Sequence, residues 1–305
     1  MLNKRIISPE LMVAVSAGVW GLFWIPLRAF DRMGLDPGWV VISQFSAPFL
    51  LLAPLAVVRL RRGQRTGLEH FRTGLLVGGA VVLYSESVLL TDVVRALILF
   101  YVMPAWGTLA EVYLMGRRFT LWRGLALVLS LGGLVAILGI GSGPGRPVNL
   151  GDGLALLSGI VFTFGAMRIR RSPDISVFEQ VLAFFFYGTL VAGGLSLLPL
   201  AALGHPPDLP RFLAVTPWVL LMSGGILIPA MWGLYWGSRF VDPGRLGILL
   251  QIEAVVGIGS AALLAGEPFG LPEALGSAMV IGAGLVEVFG NRGPLPANKW
   301  DERPP

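Results

Sequence analysis

The strongest constraint on this chain is that part of it is written twice. Setting each position against the one 150 residues later places Asp92 on Asp242, Arg95 on Arg245, Ile98 on Ile248, Leu99 on Leu249 and Gly107 on Gly257. The register runs on without a gap through Gly116 on Gly266, Phe119 on Phe269, Leu121 on Leu271, Leu125 on Leu275 and Gly132 on Gly282. What repeats is apolar. Hydrophobic residues make up 55% of the chain and charged residues only 13%, about half the charge of a soluble domain. The charges gather in short clusters between apolar runs of about 20 residues, enough to cross ~30 Å of hydrocarbon as a helix.

Backbone in lipid must satisfy its own hydrogen bonds, so the runs are expected to be helices. The pattern predicts ten, over residues 11–30, 38–58, 72–91, 93–114, 121–140, 152–168, 177–199, 217–238, 243–265 and 271–290. The expected fold class is an all-α integral membrane protein with two five-helix repeats, residues 1–140 and 152–290. An odd number of spans per copy turns the second copy upside down. Residues 141–151 form the linker, whose GSGPGRPVN stretch at 141–149 breaks helix. The tail, 291–305, is polar and Pro-rich and reads as disordered. Inverted repeats are the architecture of secondary transporters, with the site near mid-membrane where the halves meet.

Orientation follows from Lys and Arg. With the N-terminus inside, only Arg28, Arg32, Arg95, Arg146 and Arg211 of the 23 basic residues fall outside. A nine- or eleven-helix count would destroy that bias, so both termini are expected in the cytoplasm. The first apolar run is long and lacks a small-x-small cleavage site, which makes it a retained helix rather than a signal peptide.

Several classes are disfavoured. The sequence pI of about 10.1 does not point to nucleic acid, because the basic residues are scattered over many loops. The absence of cysteine removes disulfides and thiol chemistry. His70 and His205 both fall in loops, so no metal cluster is visible. No Walker-type phosphate loop is present. No cofactor is expected, and transport would be driven by a gradient or by exchange.

Three stretches carry a family resemblance. They are GVWGLFWIPLR in helix 1, TDVVRALILFYVMPAWGTLAEVYLMGRRFTLWRGLALVLSLGGLVAIL in helices 4 and 5, and VDPGRLGILLQIEAVVGIGSAALLAGEPFGLPEALGSAMVIGAGLV in helices 9 and 10. The chain resembles the drug/metabolite transporter superfamily, EamA type, over about residues 11–290. Gly266 to Leu271 is similar to the family's turn between its last two helices, while the first copy departs from it with Gly116-Arg117. The resemblance implies a ten-helix transporter of the bacterial cytoplasmic (inner) membrane, with a cavity lined by helices 1, 3, 4, 6, 8 and 9. Members handle amino acids, quaternary amines, nucleotide sugars and drugs. Amino-acid exporters, aromatic ones included, are among those this chain resembles.

The expected function is therefore export of small metabolites, foremost amino acids, by alternating access. Extrusion of quaternary amines or cationic drugs is the second transport reading. A lipid-modifying membrane enzyme would need polar residues clustered at one face, which the sequence lacks, so no enzyme is expected. The expected partners are a small-molecule substrate and the bilayer. No oligomeric state follows, and a monomer suffices.

Glu253 is the leading candidate for a substrate contact. It sits mid-way along helix 9, where a charge at bilayer centre costs at least ~2.5 kcal/mol unless it faces the bundle or a watery cavity. It would bind an ammonium group or carry a proton; the plainer reading is a protonated Glu bridging helices. Glu86 in helix 3 has the same two readings. Trp20, Trp24, Tyr84, Tyr101, Trp232 and Trp236 would line the cavity, where aromatic faces beside a carboxylate hold cations. The plainer reading is ordinary packing, or the interfacial belt that suits Trp39, Trp122 and Trp218. Asp92 with Arg95, and Asp242 with Arg245, open equivalent helices on opposite faces. They read as caps with local ion pairs, or as a pair of gates. Glu111 is expected to pair with Arg117 or Arg118, and Glu179 to suit the dipole of helix 7. Pro26, Pro104 and Pro229 favour kinks.

Overall fold

The computed structural model describes residues 8–116, 118–138, 147–169, 175–241, 243–267 and 269–290. Its regular structure is helical, with no strand among the described residues. Ten helices are long and apolar enough to span a bilayer. They are α1 (Pro9–Arg32), α2 (Pro37–Arg61), α3 (Phe71–Leu90), α4 (Val93–Leu114) and α5 (Leu121–Leu138), then α6 (Leu150–Ile169), α7 (Val177–Ser196), α8 (Leu209–Ser238), α9 (Arg245–Leu264) and α10 (Leu271–Phe289). Asp242, most of the expected linker and the tail 291–305 lie outside the described residues.

Nine spans begin within a few residues of the expected positions. The exception is α8, which starts at Leu209 rather than 217. Thr216-Pro217 resembles a helix start, but the true cap is Asp208, whose side chain accepts from the Arg211 amide at 3.0 Å. Pro217 lies inside the helix. Elsewhere the capping chemistry is local. Ser176 and Glu179 form a reciprocal capping box at α7. Asn149 and Asp152 do the same at α6, each side chain accepting from the other's amide at 3.0 Å.

Three spans are broken, each next to a proline. α1 divides at Leu22-Phe23, between Pro9–Gly21 and Trp24–Arg32. Pro26 has no N–H for the Leu22 carbonyl, which accepts instead from Ile25 at 3.0 Å. α4 divides at Tyr101-Val102, where Pro104 leaves the Phe100 carbonyl without its helical donor. α8 carries a wide π turn over Ser223–Leu227, just before Pro229.

The span ends sort into two sides. On one, the termini side, Arg59 at the end of α2 pairs with Glu179 at the start of α7, at 3.6 Å. On the other, the far side, Arg28 of α1 pairs with Glu267 of the α9–α10 loop at 2.8 Å. Packing follows a regular scheme. α3 lies on α6 as α8 lies on α1, α4 on α6 as α9 on α1, and α4 on α5 as α9 on α10. The pairs α2–α7, α5–α10 and α4–α9 map onto themselves when each span is exchanged with the one five places away.

The α3–α7 seam is a close backbone crossing. A Cβ on Gly78 would stand 2.8 Å from the Gly188 nitrogen and 2.9 Å from the Phe184 carbonyl oxygen. Neither backbone atom can swing aside. Gly78→Ala should therefore cost about 1–3 kcal/mol by overpacking, read as a lower thermal unfolding midpoint in detergent. At the termini side Glu111 pairs with Arg123, near the start of α5; Arg117, one of its two expected partners, lies outside the described residues. Trp122 is more than half exposed near the start of α5, as an interfacial belt requires; Trp218, similarly exposed, lies nine residues into α8 because that helix starts at Leu209.

Candidate functional site

Three of the expected residues converge at mid-span. The Tyr101 hydroxyl faces the Glu253 carboxylate, and Tyr84 lies near the same group. Tyr84 stacks on Phe100 with ring centroids 4.8 Å apart. Each group arrives from a different span: Tyr84 from α3, Tyr101 from the break in α4, and Glu253 from α9. Position 101 is exposed to the cluster because the helix is interrupted there.

α1 closes the cluster on another side. A Cβ on Gly21 would stand 2.6 Å from the Glu253 carbonyl oxygen and 2.9 Å from the Gly257 nitrogen. The two backbones touch at the level of the carboxylate, directly below the break in α1. Trp24, just past that break, donates its indole N–H to the Ser260 hydroxyl at 3.0 Å. Trp24→Phe keeps an aromatic ring but removes the donor and part of the buried indole; at least about 1 kcal/mol of stability should go with it, read as a lower unfolding midpoint in detergent. Trp20, one turn earlier, lies against Phe23 at 5.1 Å and edge-on to Phe184 at 6.3 Å. Its indole N–H is buried without a partner.

Glu86 stands apart from these contacts. It is 1% exposed, and its Oε2 has no hydrogen-bond partner. α8 supplies less than expected. Trp236 packs on Phe240 at 5.2 Å, and Trp232 is 40% exposed. Tyr235, between them, turns inward and lines a small recess of about 30 Å³ with Phe184, Gln180, His70 and Thr73. That recess opens on the termini side, and the Phe184 ring separates it from Trp20.

The far side is closed by a polar clasp. Glu267 accepts from the amides of Val93 and Val94 at 2.9 and 3.4 Å and pairs with Arg28. Arg28 also donates to the carbonyls of Val88 and Thr91. Arg95 pairs with Asp152 at 2.8 Å, and the Thr91 hydroxyl donates to the same carboxylate at 3.0 Å. Thus Glu267 rather than the side chain of Asp92 caps the first turn of α4, a correction to the expected cap. The reason is geometric: a carboxylate from a neighbouring loop reaches two amides at once. Arg245, the counterpart of Arg95, is exposed. Asp152 and Glu267 had no place among the expected site residues. The Asn149-x-x-Asp152 spacing was a visible capping signal, whereas nothing in the sequence ties Glu267 to a helix 174 residues away.

Comparisons with known proteins agree with this architecture. The model of the EamA-like transporter family matches residues 7–139. A protein known from a crystal structure shares the fold at 17% sequence identity and a TM-score of 0.55, covering 92% of this chain and 97% of its own. No curated protein matches.

Proposed function

We propose, from the match of residues 7–139 to the EamA-like transporter family, that this chain is a secondary membrane transporter that exports small amine-bearing metabolites, foremost amino acids, from the bacterial cytoplasm. One observation carries the reading. A carboxylate with phenolic neighbours sits in the middle of the bundle, where two broken spans meet α9. A charge placed there is costly unless it serves a solute or a proton. Discontinuous helices border the sites of secondary transporters.

Glu253 would take the ammonium group, with Tyr101 and Tyr84 orienting it. Trp20 and Trp24 would hold the apolar part, and the free indole N–H of Trp20 suits an acceptor such as a carboxylate. Glu86, Trp232 and Trp236 keep the substrate-contact role expected of them only if the bundle rearranges during the cycle. The exchange symmetry of the packing supports two five-span repeats, 1–140 and 152–290, rocking about this point. The surplus of Lys and Arg on the termini side supports cytoplasmic termini. Arg95 with Asp92 would gate the far side, and Arg245 with Asp242 the termini side.

A second reading is favoured by the company Glu253 keeps. No Lys or Arg pairs with it among the described residues, so a permanent organic cation would find its acceptor unoccupied.

Flux into proteoliposomes, measured with labelled amino acids and with labelled quaternary amines, separates the two. Saturable flux of the first class alone supports amino-acid export; flux of the second alone supports the cation reading. No saturable flux of either overturns both. Reporter fusions should place residues 1 and 305 on the same, cytoplasmic side.

A further inference from the structure

We infer that the α2–α3 loop is a binding site for an anionic phospholipid of the leaflet on the termini side. The loop and its flanks, residues 61–72, carry Arg61, Arg62, Arg65 and Arg72 against a single Glu69. All four arginines are exposed. None makes an ion pair among the described residues.

Topology alone accounts for basic residues here, but not for their arrangement. Elsewhere on the same side two guanidinium groups are used internally, Arg123 in a pair with Glu111 and Arg239 as a donor to the Ile175 carbonyl, while the exposed Arg118, Arg168 and Arg245 lie at three different span ends. In the α2–α3 loop the internal work is done by other residues. Arg59 donates to the Arg65 carbonyl at 3.2 Å, lies over the Phe178 ring at 4.8 Å and pairs with Glu179. Thr66 is buried, and the Leu68 carbonyl accepts from the Tyr187 hydroxyl. The loop is thus pinned to α7, and its four free cations are held outward in a fixed frame.

The surface that continues from these arginines toward the bilayer is apolar. Leu60 and Val57 on α2 are 57% and 47% exposed, and Phe71 and Leu75 on α3 are 52% and 42% exposed. Arg72 lies over the Phe71 ring at 5.7 Å. A cluster of free guanidinium groups above an apolar face matches a phosphate headgroup above acyl chains, and clusters of 4–8 basic residues beside a span attract anionic lipid. A soluble phosphate would satisfy the arginines but leave the apolar face unused.

The inference rests on a membrane-spanning chain and not on transport, so its test needs no flux. The full chain in zwitterionic detergent is titrated with phosphatidylglycerol or with phosphatidylcholine, and the thermal unfolding midpoint is followed, since a ligand of the folded state raises it. Phosphatidylglycerol should act at a concentration at least tenfold lower, roughly what a few basic contacts supply. That preference should shrink as salt rises. It should be lost in R61Q/R62Q/R65Q/R72Q and kept in the far-side control R32Q. Equal action of the two lipids on the wild-type chain overturns the inference, as does a quadruple variant that keeps the preference. Glycerol phosphate acting at the same concentration as the lipid would assign the site to a soluble anion and overturn it too. Should the quadruple variant fail to fold, the lipid comparison and the salt dependence of the wild-type chain decide.

Discussion

Glu253→Gln is expected to lower flux of an amine-bearing solute by roughly 30- to 100-fold while leaving the protein folded. The substitution keeps the shape of the side chain and an acceptor for the Tyr101 hydroxyl, so the local packing survives. What disappears is the charge that faces an ammonium group, and a hydrogen bond to a charged group is worth roughly 2–3 kcal/mol, or that range in affinity. The same variant should barely affect a neutral aromatic solute, which needs the rings and not the carboxylate. Saturable flux in proteoliposomes, compared for the two solutes, checks this. Equal losses for both would mean that Glu253 supports the helix junction and does not read the solute. Tyr101→Phe should follow in the same direction with a smaller loss, about fivefold, because only the hydroxyl facing the carboxylate is removed.

Glu267→Ala should have the second large effect, at the far side. The carboxylate holds the first two amides of α4 and the guanidinium of Arg28. Removing it leaves three partly buried donors without an acceptor, each costing about 1–3 kcal/mol. The result expected is a looser far side: faster modification of a cysteine introduced at Leu89 by a membrane-impermeant thiol reagent, with the termini side unchanged. The chain has no native cysteine to interfere. Unchanged labelling in Glu267→Ala would show that the clasp is decoration on a closure made elsewhere. The repeat makes this asymmetric. At the positions 150 residues away, Thr91 becomes Val241 and Glu267 becomes Arg117. The termini side therefore lacks the pieces of an equivalent clasp, so the corresponding changes there should alter labelling much less.

The spans were legible because their signal is local. Ten apolar runs of sufficient length leave few alternatives, and every break in a helix lies beside a proline that the sequence displays. α8 shows the limit of local signals. Asp208 and Pro217 both look like helix starts, and only the course of the chain between them decides. The site was legible by residue type and not by direction. Glu253, Tyr84 and Tyr101 are polar or aromatic groups in the middle of spans, and their meeting depends on how α3, α4 and α9 rotate against one another. Trp232 and Trp236 carry the same signal, yet one is substantially exposed and the other packs on Phe240. A helix facing lipid on one side and protein on the other reads as apolar all round, so periodicity does not tell which face turns inward. Glu111 pairs with Arg123, twelve residues on, a partner that proximity in sequence does not single out. Glu267 could not be placed, because its donors lie on a span joined to it only by the tertiary arrangement.

The touching backbones of Gly21 and Glu253 have a mechanical consequence. Two rods that meet without intervening side chains are held at one point but remain free to swivel, much as scissor blades do at their rivet. Because the helix of α1 is interrupted immediately above that point, a change of angle between its two arms breaks the fewest helical hydrogen bonds there, once Trp24 lets go of Ser260 and Arg28 of Glu267. Any bulk inserted at residue 21 would move the fulcrum itself, shifting the angle of both arms together.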